Sequence, residues 1–508
     1  MTLDAAGLQV LISRLGGIAD EMGAVLRRSA SSPNIKERAD CSAAVFTPNG
    51  ELLAQAEHIP VHLGSMPASV AAAIEAYGGR LLPGEHVLLN DPFRGGTHLN
   101  DLTLVTPAFV GGRLVGWAAN RAHHADVGGA APGSIPADAT EIQQEGLRIP
   151  PCRLTEEVCS LLFAASRTPA ERMGDLDAQI GANVLGAVRL AEVADQPLAE
   201  VVAYGERRMR AVLGALPDGT WTFGDVLDST GSAEDQQRPA WIQVAVTVAD
   251  DTITFDFTGT DPQARGNVNA VEAVTISAVA FALRAAVDPT IPANGGSSRP
   301  VHVIAPAGSI VAARPPAAVG AGNVEVSQRV ADVCLGALAQ LVPERAGAAS
   351  QGTMNNFLIG GAGWVYYETI GGGEGAQPTR AGMSGVHTAM TNTRNTPIEA
   401  LERAFPMRVL RYRLRDGSGG AGRFVGGEGI ERDVQVLEDC TVSLITERRV
   451  SQPWGIAGGG DGATGENWLL PGGNEARAAR LPDKCTVRLS AGDVVRMLTP
   501  GGGGLGHA

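Results

Sequence analysis

Apolar and polar residues recur along the chain in two rhythms, one near 3.6 residues and one of two, and the switches between them divide the sequence into segments. Leu8, Val10, Leu11, Leu15 and Ile18 lie near helical spacing, so residues 3 to about 30 are expected to form an amphipathic helix. From 41 to 128 the rhythm is that of strands. There "SAAVFTPNGELLAQA" sets Asn49-Gly50 between two apolar runs, a hairpin signal, and "HVLLN", "DLTLVTPAFV" and "RLVGWAANRAHH" follow between Gly-rich turns. Pro132, Pro136, Pro150 and Pro151 punctuate a long loop. Residues 156–214 read as helix, 219–258 as strands across an Asp-Asp turn, and 268–288 and 324–341 as two further helices. The last hundred residues mix many glycines with short β-type runs: "RVLRYRLRDG", "TVSLITERR" and "CTVRLSAGDVVRML". The expected fold is mixed α/β (α+β) and multidomain. Its regions are an N-terminal α/β region (1–215), a central α/β region (216–400) and a strand-rich, Gly-rich C-terminal region (401–508).

A length of 508 residues exceeds one ordinary core and suggests two to four domains. The net charge of −14 argues against nucleic acid or an anionic membrane as partner, because both would be repelled at long range. Six scattered cysteines without a CxxC suit reduced thiols in the cytoplasm. The N-terminus carries Asp4 and no basic n-region, so it does not read as a signal peptide. The apolar run at 273–287 is interrupted by Arg284 and too short to span a bilayer; it reads as a buried helix. The two lysines, Lys36 and Lys484, lie outside any GxxxxGK[ST], so a P-loop is absent. The terminal "GGGGLG" has no room for a following helix and is no dinucleotide fingerprint, so no cofactor-binding residues are expected.

Candidate chemistry concentrates in "NDPFRGGTHLNDLTLVTPAF", residues 90–109. Asp91-Pro92 ends the preceding strand, and Gly95-Gly96 turns the backbone so that His98 and Asp101 sit on a rim before the next strand. An imidazole and a carboxylate so placed suit Zn, Mn, Fe or Co. The end of the following strand, "NRAHHADVGG", can supply a third ligand. His123 and His124 point to opposite faces of an extended chain, so one of them joins readily, and Asp126 shares a face with His124. The competing reading makes His98 a turn cap, Asp101 an acceptor for loop amides and the two histidines packing residues. "SQGTMNNFLIGG" (350–361) and "YYETIGGGEGA" (366–376) read as loops, either of a substrate pocket or of tight turns. Thr396-Pro397 and Glu399 mark a helix start, which makes His387 a structural residue.

These stretches resemble the hydantoinase B/oxoprolinase family along nearly the whole chain. The resemblance runs through "IKERADCSAAVF", "AEHIPVHLGSMP", "NDPFRGGTHLNDLTLVTP", "RAHHADVGGAAPGSIP", "FTGTDPQARGNVNA", "SQGTMNNF", "GMSGVHTAMTNTRNTPIEALE" and "ERRVSQPWG". It implies a catalytic B subunit holding a divalent transition metal (Zn or Mn). A partner hydantoinase A-type subunit would bind ATP-Mg and phosphorylate the carbonyl of a cyclic amide (hydantoin, 5-oxoproline or lactam) in a hetero-oligomer. It places the metal on His98, Asp101 and His123, adds Asp40 as ligand or base, and leaves His124 or Asp126 to orient His123. This chain reads "ERAD" where many members have "ERRD", which removes one basic neighbour of Asp40. Such a metal lowers the pKa of a water toward about 7, making it a nucleophile for a primed carbonyl. Two alternatives are an acetone-carboxylase-like subunit, disfavoured by "FRGGTH", and a non-catalytic scaffold for the A subunit, disfavoured by the intact His98, Asp101 and His123.

Overall fold

The computed structural model describes residues 4–56, 59–62, 64–231, 233 and 237–507. Leu3, the first residue of the expected N-terminal helix, and Glu57, His58 and Leu63 of "AEHIPVHLGSMP" lie outside them. Asp4 accepts from the Gly7 amide at 2.7 Å and caps α1 (Ala5–Ser29), which buries Leu8, Leu11, Leu15, Ile18, Met22 and Leu26 along one face. After the single turn α2 (Pro33–Lys36) come β1 (Cys41–Phe46) and β2 (Leu52–Ala56), the expected hairpin, with Gly50 at φ 83° in its turn. The helix α3 (Met66–Tyr77) leads to β3 (Val87–Leu89), β4 (Asp101–Val110), β5 (Arg113–His123) and the short β6 (Cys152–Arg153). These form one sheet in the order β2-β1-β5-β4-β3-β6, antiparallel throughout.

The helical block at 156–214 is three helices: α4 (Glu156–Ala165), α5 (Pro169–Ala191) and α6 (Leu198–Leu213). Prolines supply the breaks. Pro169 stands at the first position of α5, and Pro197 immediately precedes α6. A second sheet, in the order β10-β9-β8-β7, joins β7 (Gly219–Leu227), β8 (Ala240–Ala249), β9 (Thr252–Asp256) and β10 (Val301–Ile304). The apolar α7 (Glu272–Ala286), the one-turn α8 (Gly295–Ser298) and α9 (Ser327–Leu341) belong to this part of the chain. The largest hydrophobic cluster extends from Ile59 to Ile445 and takes in β4, β8, β9, α7 and α9, so the first two sheets share one core.

Residues 350–361 and 366–376, read from sequence as loops, instead contribute to β11 (Asn356–Gly361) and β12 (Trp364–Glu368). Beyond α10 (Ile398–Ala404) follow β13 (Met407–Arg415), β14 (Gly429–Val436), β15 (Cys440–Ile445), β16 (Glu466–Leu470), β17 (Ala479–Leu481), β18 (Lys484–Leu489) and β19 (Val494–Leu498). They make a third sheet, β12-β11-β15-β18, and a fourth, β13-β14-β19-β16-β17. The fold is thus α+β and multidomain. Many C-terminal glycines lie outside the strands, in backbone threads that touch directly. Gly502 donates to Gly427 O, Gly420 donates to Gly502 O, and Gly427 donates to Glu374 O. A Cβ at Gly502 would stand 2.0 Å from Glu374 O, and one at Gly426 would stand 1.9 Å from Gly502 O, so no side chain fits there. Close backbone packing, not a phosphate, explains "GGGGLG". Among the described residues, no helix is long and apolar enough to cross a membrane, and all six cysteines are unpaired.

Candidate metal centre

Strand register builds the site. Asp101 opens β4 opposite His123 at the end of β5, and Cys41 at the start of β1 pairs with Ala122. Asp40 therefore falls beside His123, whose amide donates to Asp40 O at 3.0 Å. Three neighbouring strands so bring Asp40, His123 and Asp101 into a row at one end of the sheet. The turn from Pro92 to Asn100 adds His98, whose carbonyl accepts from the Asp101 amide at 3.1 Å. His98, Asp101 and His123 are all buried, and each offers a ligand atom within 4.8 Å of the others. His98 Nε2 lies 3.2 Å from His123 Nδ1, and Asp101 Oδ1 lies 3.5 Å from the same nitrogen.

The donor atoms fit a divalent transition metal. His98 Nδ1, Asp101 Oδ1 and His123 Nε2 are buried without hydrogen-bond partners; His98 Nδ1 approaches Asp101 Oδ2 to 3.1 Å but outside hydrogen-bonding geometry. Orphaned donors of this kind cost free energy unless something else uses them. Burial drives the His123 value down to about 3, so its ring is neutral, as a metal ligand must be. Burial opposes the charge on Asp101, but the neighbouring imidazoles of His98, His62 and His123 hold its carboxyl well below the usual range. Two imidazoles and a carboxylate suit Zn or Mn.

Several residues invisible to the spacing argument complete the surroundings. His62 Nε2 stands 3.5 Å from Asp101 Oδ2 while its Nδ1 meets Ser42 Oγ at 2.9 Å. Thr97 Oγ1 donates to Asp101 Oδ2 at 2.7 Å, and Asn323 Nδ2 does so at 3.3 Å. The Tyr367 ring stacks on His123, with centroids 4.5 Å apart, and the Arg38 guanidinium lies 4.7 Å from the Tyr367 centroid. Arg38 also stands 4.0 Å from Asp40, so a cation remains beside this acid despite Ala39. Burial raises the Asp40 carboxyl to about 7, against the pull of Arg38. Asp40, His62, Asp101, His123, Asn323 and Tyr367 line a small cavity of about 20 Å³.

Asn323 sits in a π-helical turn, Gly322–Val326, that leads into α9. Such turns recur at functional sites because the extra residue redirects side chains. Glu145 braces this approach by accepting from the Val319 and Gly320 amides at 3.1 and 2.8 Å. Burial outweighs those two bonds and raises its carboxyl from 4.5 to about 8. Between these values the folded chain keeps a proton that the unfolded chain has lost, so Glu145 makes stability fall as pH rises from 4.5 to about 8. Glu145→Gln is expected to flatten the decline by up to about 1.4 kcal/mol per pH unit. Urea unfolding of both proteins at pH 5.5 and 7.5 measures this, and equal slopes would refute it.

His124 and Asp126 are corrections to the sequence expectation, because neither touches the free nitrogen of His123. Side chains alternate at the end of β5, so His124 turns to the other face, where its Nε2 meets Gln179 Oε1 on α5 at 2.9 Å. Asp126 is consumed by a turn. It accepts from the Gly128 and Gly133 amides and from the Arg167 amide and guanidinium. His62 and Tyr367 escaped the sequence reading because they come from chain segments far from "THLND". That His62 belongs to a histidine-poor chain was the one available signal.

The model of the family described as Hydantoinase B/oxoprolinase matches residues 4–508. An uncharacterised protein of Methanocaldococcus jannaschii is 41% identical over 521 residues, covering 99% of this chain and 91% of the relative. The 5-oxoprolinase 1 of Arabidopsis thaliana is 40% identical over 536 residues, but there the match takes in 42% of the relative, so the chain spans about two fifths of that longer protein. In the crystal structure of the ATP-dependent caprolactamase from Pseudomonas jessenii, one chain superposes with a TM-score of 0.91 at 28% identity, over 100% of this chain and 92% of that one. Matched by the family's model over residues 4–508 and by a relative 41% identical along 91% of that relative's length, the chain belongs to the hydantoinase B/oxoprolinase family.

Proposed function

We propose that this chain is the metal-bearing catalytic subunit of an ATP-dependent cyclic amidase. It opens a hydantoin, 5-oxoproline or lactam ring whose carbonyl oxygen a hydantoinase A-type partner has phosphorylated. The observation that carries the reading is the buried set His98, Asp101 and His123 with its unpartnered donor atoms. The relatives named 5-oxoprolinase and caprolactamase support the reaction class. When bound, a divalent ion supplies Lewis acidity at this point. The chain's own residues do the rest. Asp101 is fixed by Thr97, Asn323 and His62. The Tyr367 ring, stacked on His123, sets the plane of that imidazole. Asp40, on the wall of the same cavity, takes the proton of the attacking water. Burial excludes bulk water and strengthens each of these interactions.

The test mixes the chain with its partner, ATP, Mg and Mn or Zn, and supplies hydantoin, 5-oxoproline, caprolactam, or acetone with bicarbonate. ATP-dependent ring opening of one of the three amides is expected. Acetoacetate formation, or ATP turnover without ring opening, would overturn the reading.

A further inference from the structure

Behind the metal cavity, the π-helical turn Gly322–Val326 and the strands β11 and β12 are joined by one chain of hydrogen bonds. Residues two apart point to different sides of a helical turn, so Asn323 and Glu325 leave it in different directions. Asn323 reaches Asp101 Oδ2. Glu325 reaches β11 instead, where its Oε1 accepts from the Met354 amide at 3.1 Å and from Asn356 Nδ2 at 2.8 Å. Asn356 Oδ1 in turn accepts from the Tyr367 hydroxyl at 2.8 Å, and the Tyr367 ring is the one stacked on His123. Asn356 Nδ2 also donates to the Ile445 carbonyl at 2.8 Å, which anchors this amide to β15. Both sides of the metal set thus lead back to one carboxyl. Asp101 is tied to Glu325 through the backbone of the π-helical turn, and His123 through Tyr367 and Asn356.

Local backbone geometry aims this chain. Asn355 stands at φ 49°, a left-handed conformation that asparagine adopts more readily than most residues. The two neighbouring amides then part: Asn355 Oδ1 accepts from Arg449 at 2.9 Å, while Asn356 faces Glu325 and Tyr367. Glu325, Asn356 and Tyr367 are all buried, so their bonds are made away from competing water. Burial, followed by the like charge of Glu447, raises the Glu325 carboxyl to about 8. Near pH 7 the acid is therefore mostly neutral, and glutamine matches it in both shape and charge. Glu325 does not line the metal cavity, so it acts there only through other residues.

We infer that Glu325 is a positioning residue of the metal centre: it ties the π-helical turn to β11, so that Asp101 and the His123 ring keep the separation that one shared ion requires. The inference rests on the proposed metal-bearing subunit and extends it to a residue outside the cavity.

Titration of cobalt(II) into the metal-free chain against a competing chelator, with the d–d absorption spectrum recorded, tests it. Circular dichroism establishes the fold of each variant. Wild type is expected to bind cobalt. Glu325→Ala should weaken that binding about tenfold or more and alter the spectrum, as loss of groups that orient ligands does. Tyr367→Phe keeps the stacked ring but drops its bond to Asn356, and should also weaken binding about tenfold. Glu325→Gln should stay within about threefold of wild type and keep its spectrum. The double variant Glu325→Ala/Tyr367→Phe should lose less than the product of the two single losses, because both break one chain. A folded Glu325→Ala or Tyr367→Phe with wild-type affinity and spectrum overturns the inference, and so does a loss in Glu325→Gln equal to that in Glu325→Ala. Should Glu325→Ala fail to fold, Tyr367→Phe and Glu325→Gln decide by the same criteria. A wild type that binds no cobalt overturns the metal centre and the inference together. If cobalt binds as described but no ring opens with partner and ATP, the reaction fails and the positioning role stands.

Discussion

Alanine in place of His98 or His123 is expected to strip the purified chain of a stoichiometric transition metal and to abolish ring opening in the assembled enzyme. The three donors converge within 4.8 Å, and no fourth histidine or carboxylate joins them at that distance among the described residues. Two remaining ligands hold a divalent ion far more weakly; loss of groups that merely orient ligands already costs about 10–100-fold in affinity or activity. Elemental analysis and turnover with partner and ATP are the measurements, with circular dichroism to establish folding. His124→Ala is the matched control, since its ring faces α5, and it should retain the metal. Metal retained in both His98→Ala and His123→Ala would sink the assignment. Metal lost with ring opening unchanged would favour the scaffold alternative.

Methionine in place of Lys484 is expected to cost about 3–5 kcal/mol of stability, because it leaves buried acids without their cation. Lys484 is fully buried. Its ammonium lies 2.5 Å from Glu447 Oε1, 2.9 Å from Asp483 Oδ2 and 3.3 Å from Ser229 Oγ, tying the third sheet to the loop after β7. Burial opposes its charge, but Asp483 and Glu447 prevail and raise its basicity above the usual lysine value. Burial also lifts Glu447 to about 7 even with Lys484 present. Adding Glu447→Gln to Lys484→Met removes one stranded acid and should recover part of the loss. Urea midpoints of wild type, both single variants and the double variant measure the coupling. Strict additivity would show that the pair is not the source.

The N-terminal half of the fold was legible where local chemistry is strong. The Asn49-Gly50 hairpin, the helix at 5–29 and the strands at 101–110 and 113–123 follow from turn type, helical spacing and apolar runs between Gly-rich turns. The block at 156–214 was read too coarsely because its Ala-rich helices share one composition, and only Pro169 and Pro197 separate them. The strands at 356–361 and 364–368 were hidden by flanking glycines. Burial on both faces gives them no polar alternation to detect. In the candidate site, the opposite facing of His123 and His124 was readable from the extended backbone. The use of Asp126 in a glycine turn was not, because its partners Gly133 and Arg167 lie 7 and 41 residues away.

The sequence alone therefore determined the family and most of the N-terminal element types, and it singled out His98, Asp101 and His123 as candidate donors, since each is written in neighbouring residues or in motifs of fixed order. Tertiary structure alone decided that Asp40 and Asp101 flank His123 and that His62, Asn323 and Tyr367 close around them in one small cavity. The reason is physical. Strand register and the packing of a π-helical turn on a distant sheet bring together residues up to about 330 positions apart, such as Arg38 and Tyr367. No periodicity along the chain encodes contacts at that separation.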